Sequence, residues 1–69
     1  MFDKKFIKKI EIELEKKIDL KKTFIKNDLD SLDIFTVMAI FEDFYKTKLK
    51  DSDFKSIKNF EALKKKIKE

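Results

Sequence analysis

Sixty-nine residues are enough for one small domain, and a chain this short buries only a modest fraction of its surface. Cysteine and histidine are absent, which removes disulfides, thiolate metal clusters, the commonest zinc ligand and the commonest general base, and so argues against a hydrolase. Glycine and proline are absent too, which favours helices over turn-rich hairpins, and the net charge of +4 belongs to a chain whose 18 basic residues are all lysine.

Phe6, Ile7, Ile10, Leu14 and Ile18 recur every three or four residues, a spacing that predicts a helix over roughly 3–18 with one apolar face. Asp3 stands near its start and Lys16 and Lys17 near its end, where their charges complement the helix dipole. Ile12 falls on the opposite side and reads as a lone exposed apolar residue. From Asp19 to Asp30 the periodicity fails, predicting a connection long for so small a domain, pinned down by Phe24, Ile25 and Leu29.

A second helix is predicted from Asp30-Ser31 to Lys46, with Asp30 as the N-cap that accepts from the open amides of the first turn. Val37, Met38, Phe41, Phe44 and Tyr45 form its inward stripe. Leu32, Phe35 and Ala39 run along another edge, with Asp33, Glu42 and Asp43 on or beside the polar face. The helix is apolar around more of its circumference than burial in this domain requires, so part of it is available to a partner. Asp51 then caps a short turn, Ser52–Ser56, that offers Phe54, and Asn59 caps a last helix, Phe60–Lys68, with Phe60, Leu63 and Ile67 inward. The elements make a single all-α domain over residues 1–69 with four helices, three long and one short.

Charge is segregated along this chain. Residues 1–26 carry nine lysines against five acids, residues 27–54 three against seven, and residues 55–69 six against two. The middle of a basic protein is therefore acidic. Heavy use of Lys, Ile, Phe and Asn is also what a nucleotide-biased genome produces, and exposed lysines solvate by default. No apolar run approaches the roughly 20 residues that span a bilayer. Charges interrupt the N-terminus every two or three residues, unlike a signal peptide, so a cytoplasmic location is expected.

The chemistry concentrates in Asp28-Leu29-Asp30-Ser31-Leu32-Asp33. A serine in the first turn of a helix lies at the surface, and only carboxylates are near enough to activate it. Open amides and the helix dipole favour a phosphate there, whereas an acyl-enzyme gains nothing.

Asp30-Ser31-Leu32, with the apolar register downstream of it, resembles the acyl carrier protein family, whose attachment motif opens the second helix. Phe35, Val37 and Phe41 occupy its apolar offsets, Glu42 an acidic one, Tyr45 the closing aromatic and Leu49 the aliphatic of the next loop. Asp51, Ile57, Phe60, Leu63 and Ile67 continue the match, which covers about residues 24–67 in detail.

The resemblance implies an acyl-carrier-protein-like four-helix bundle and no catalytic or metal-binding residue. Ser31 would receive 4′-phosphopantetheine from coenzyme A through a phosphopantetheinyl transferase, with Asp30 helping that enzyme place its metal ion. Acyl intermediates would then travel as thioesters to fatty-acid or related biosynthetic enzymes that transfer or modify the chain. Leu32, Asp33, Phe35, Glu42 and Asp43 would form the docking face of a monomeric carrier. Phe24, Val37, Met38, Phe41, Tyr45, Leu49, Phe54 and Leu63 would line the core that shelters cargo, the large Phe41 and Tyr45 favouring short or polar chains. Aminoacyl and polyketide cargo stay open.

Three features depart from the family. The chain is basic overall, the segment before the motif is shorter by one residue and lacks its glycine, and Thr36 stands at a commonly acidic position. They imply a divergent, specialised carrier. A different class of protein, a basic helical module that binds nucleic acid, is disfavoured by the lack of arginine and by the acidic second helix. A subunit that only scaffolds an enzyme complex is the third reading.

Overall fold

Asp3 opens the first helix by accepting from the Lys5 amide at 2.8 Å, and the predicted apolar stripe carries the chain through α1, Lys4–Leu14. The computed structural model describes residues 2–67. Phe6 and Ile10 are fully buried, Ile7 and Leu14 pack at the edge of the core, and Ile12 is exposed as expected.

Helix α1 ends a turn earlier than its periodicity predicts. Glu15 adopts the left-handed conformation, φ 55°, and the Lys16 amide bonds back to the Glu11 carbonyl at 3.2 Å. The Glu11 carboxylate accepts from the Ile18 amide at 2.9 Å, so Ile18 reaches the core from a loop rather than from the helix.

The long connection holds one 3₁₀ turn, Ile25–Asn27. Phe24 and Leu29 pin it, both buried, but Ile25 is exposed and contributes no anchor to the core. A 3₁₀ turn directs neighbouring side chains to different sides, so only one of the Phe24-Ile25 pair faces inward. The remaining constraint is polar. Asn27 is buried, accepts from the Asp19 amide at 2.8 Å and donates to the carbonyls of Asp19 and Thr23 at 2.9 and 3.0 Å. Asp28 leaves this turn at φ 64°, so the glycine-free segment before Ser31 turns on an aspartate, a residue that tolerates the left-handed region.

Helix α2, Ser31–Tyr45, matches its predicted start and Asp30 cap. Val37, Met38 and Phe41 are fully buried, while Phe44 and Tyr45 are half-buried beside them. Helix α3 covers Asp51–Ser56 and helix α4 covers Phe60–Lys64. The Asn59 side chain caps α4 by accepting from the Ala62 amide at 2.8 Å.

The expected division into three long helices and one short one does not hold. Two helices are long, at 11 and 15 residues, and two are short, at 6 and 5. Beyond Lys64 the amides of Lys66 and Ile67 bond three residues back, to Leu63 and Lys64, so the chain tightens instead of extending the α-helix. Position 68 lies outside the described residues. Among the described residues there is no strand, only an isolated bridge between Thr23 and Asn59 that ties the long connection to the start of α4.

Among the described residues, phenylalanine supplies five of the twelve buried hydrophobic residues, so ring packing ties the elements together. Phe2, which no periodicity marks, is buried against Phe6 at 5.1 Å and edge-on to Phe60 at 6.1 Å. Phe24 meets Phe60 edge-on at 4.9 Å, joining the long connection to α4. Each such side chain contributes on the order of 2 kcal/mol through burial. Phe41, at the centre, would cost about 3–5 kcal/mol on truncation to alanine.

Candidate functional site

Ser31 is the first residue of α2 and is exposed. Its turn is built by a reciprocal cap: Asp30 Oδ1 accepts from the Asp33 amide at 2.9 Å, and Asp33 Oδ2 accepts from the Asp30 amide at 3.3 Å. Ser31 lies between these partners in sequence and takes no part in either bond. Replacing an N-cap aspartate by alanine costs about 1 kcal/mol, so Asp30 sets the conformation at Ser31 whatever else it does.

A second element holds the turn. Lys16 reaches across the long connection to donate to Asp33 Oδ2 at 2.9 Å and to the Asp28 carbonyl at 2.6 Å. Its bond to Asp33 chiefly raises the Lys16 pKa above the ordinary 10.5. The same bond, followed by the Asp30 amide, lowers Asp33 below the ordinary 3.8. By position along the chain, Lys16 is a dipole partner for its own helix. The early end of α1 instead frees it to serve α2, and only the fold reveals the pairing.

The proposed docking residues differ in their surroundings. Leu32 and Phe35 are 76% and 59% exposed, one turn apart beside Ser31. Asp33 is neutralised by Lys16, and the Glu42 carboxylate accepts from the Leu49 amide at 2.7 Å, capping the next connection. Asp43 is exposed but shares a shallow hollow with Lys46 and Lys48. It stands 12 positions along α2 from Ser31, about 18 Å at 1.5 Å per residue. The acids therefore do not form one continuous negative face. Thr36 returns its hydroxyl to the Leu32 carbonyl at 3.0 Å.

Ser31 opens onto a groove of about 460 Å³ between α2 and α3, lined also by Ile34, Phe35, Asp51, Phe54 and Lys55. Phe35 and Phe54 stack across the two helices with centroids 5.0 Å apart and planes 25° apart. Of the residues expected to shelter cargo, Phe54 borders this groove. Val37, Met38, Phe41 and Leu63 are sealed in the core, and Tyr45 packs at the opposite end of α2 with its hydroxyl accepting from the Asp3 amide at 3.1 Å. Large aromatics do narrow the groove, but they are Phe35 and Phe54 rather than Phe41 and Tyr45. Among the described residues no cluster of acids converges to hold a metal ion, and no helix is long and apolar enough to cross a membrane.

No protein-family model matches the chain, and no curated protein or solved structure matches it significantly.

Proposed function

We propose that this chain is a carrier of the acyl-carrier type, with 4′-phosphopantetheine attached to Ser31. The observation that carries the reading is the setting of Ser31: an exposed hydroxyl in a doubly capped first turn, at the mouth of an apolar groove. The resemblance of Asp30-Ser31-Leu32 and its downstream register to the acyl carrier family supports it from the sequence side.

The residues present fit such an arm. A phosphodiester on Ser31 extends into solvent from a helix N-terminus, where the dipole offsets its charge. Lys16 already neutralises Asp33, so one fewer net negative charge faces that phosphate. The bound arm would supply a terminal thiol on which acyl groups are held as thioesters. The protein's part is presentation. Asp30 and Asp33 fix the backbone at Ser31, Phe35 and Phe54 wall the groove beside it, and Leu32 and Phe35 offer apolar contact to a partner enzyme. With Asp33 and Glu42 engaged inside the protein, apolar contact carries more of the docking than charge does. The partners are a phosphopantetheinyl transferase, then acyl-transferring and chain-modifying enzymes of the cytoplasm.

Intact mass after co-expression with a broad-specificity phosphopantetheinyl transferase tests the reading. The expected result is a gain of one phosphopantetheine that disappears in Ser31→Ala. No gain, or one that persists in Ser31→Ala, overturns it.

A further inference from the structure

A second hollow lies beside the groove that opens at Ser31. Ile34, Phe54 and Lys55 line both, and the second, of about 200 Å³, adds Thr23, Phe24, Ile25, Ile57 and Lys58. Phe24 and Ile57 are buried and Ile34 and Phe54 half-buried, so the walls belong to the packed body of the protein. Ile25 is 78% exposed and stands over the hollow instead of joining the core.

The two adjoining hollows differ in charge. At Ser31 the lining sets Asp51 against Lys55, whereas the second hollow shares Lys55, adds Lys58 and has no acid. Lys16 and Lys66 are held by carboxylates, but neither Lys55 nor Lys58 is in an ion pair among the described residues. A chain that reaches from Ser31 into the second hollow therefore lies among apolar walls with two ammonium groups and no carboxylate in the lining. The second hollow, at about 200 Å³, is less than half the size of the groove at Ser31, at about 460 Å³, and so suits a short chain.

We infer that the groove selects cargo with a short apolar body and a carboxylate at its free end, with Lys55 and Lys58 as the specificity residues. A neutral chain of the same length gains the apolar contacts alone. An acid-tipped chain adds attraction to two cations at the surface, a screened effect that favours it by about three-fold. How cargo reaches the groove rests on the reading of Ser31 as a tether; the preference itself rests on the groove.

The test is an NMR titration of the unmodified chain with hexanoate and, separately, with hexanol at low salt. Saturable shifts are expected at Ile25, Ile34, Phe54 and Lys55, with hexanoate binding about three-fold more tightly. In the double variant Lys55→Gln, Lys58→Gln the hexanol shifts should remain, which reports an intact groove, while the preference for the acid disappears. Equal binding of acid and alcohol, no saturable shift at these residues, or a preference that survives in the double variant overturns the inference. Because the titration needs no arm, its failure is separate from that of the Ser31 reading, which is decided by mass alone.

Discussion

The exits of α1 and α2 use the same device. Glu11 and Glu42 each stand four residues before a left-handed residue, Glu15 and Lys46, at φ 55° and 52°. Each glutamate carbonyl accepts from the amide five residues on, that of Lys16 or Thr47, at 3.2 and 3.1 Å. Each carboxylate accepts from the amide seven residues on, that of Ile18 or Leu49, at 2.9 and 2.7 Å. The chains that leave them then diverge. Residues 46–50 reach α3 at once, with Thr47 and Leu49 buried, while residues 15–30 wander and need Asn27, Phe24, Leu29 and the Lys16–Asp33 pair to settle them. A local hydrogen-bond motif ends a helix, but the path of the chain beyond it depends on whether the next residues find a buried seat close by.

The largest way to break this comparison is Asn27→Ala. It removes the side-chain partner of the Asp19 amide and of the part-buried Asp19, Lys22 and Thr23 carbonyls, at a cost of about 3 kcal/mol. Small domains commonly hold only ~3–5 kcal/mol, so the urea midpoint should fall steeply. Next come the two glutamates. Glu42→Ala leaves the amide of buried Leu49 without a partner and should cost about 2 kcal/mol, whereas Ile18 is half-exposed and Glu11→Ala should cost about 1 kcal/mol. Equal losses in denaturant melts would show that burial beyond the two helices does not matter.

Acid should loosen both connections. Asp33 lies below the ordinary 3.8 because of Lys16 and the Asp30 amide, and Asp53 because of the Lys50 amide and then Lys66. The unfolded chain binds protons more readily in that range, so their stabilisation is present above 3.8 and lost as pH falls through the folded values. Melts from pH 6 to about pH 2 should show this loss, with Asp53→Asn flattening the part that belongs to the α3 end and Asp33→Asn the part at Ser31. Lys16, raised above 10.5, acts in the opposite direction, its contribution lost as pH rises through its folded value. The smallest effects are gains. Glu15→Gly and Lys46→Gly relieve left-handed strain and should each add up to about 1 kcal/mol, a rise of roughly 4–8 °C in Tm per kcal/mol.

Much of the frame was legible because it is local. Asp30 and Asn59 announce α2 and α4, and Val37, Met38 and Phe41 mark an inward stripe that the fold seals completely. Leu32 and Phe35 were readable as exposed from their place on the helix edge. Phe2 was not, because a buried residue before the first turn has no period to join. Nor does the sequence show that Ile25 is exposed, because two adjacent apolar residues in a loop carry no signal for which one faces inward. The observed ends of α1 and α4 fall short of their periodicity, since Ile18 and Ile67 keep the three- and four-residue spacing past the point where backbone bonds abandon the helix.

By itself the sequence determined the helical class, the start of α2, the inward stripe and the singular position of Ser31, all of which arise from spacing and capping chemistry along one segment. Tertiary structure alone decided that Lys16 crosses to Asp33, that Phe24 packs on Phe60, and that the groove at Ser31 adjoins a hollow lined by Lys55 and Lys58. These join residues from separate segments, and no periodicity within one segment encodes the distance to another.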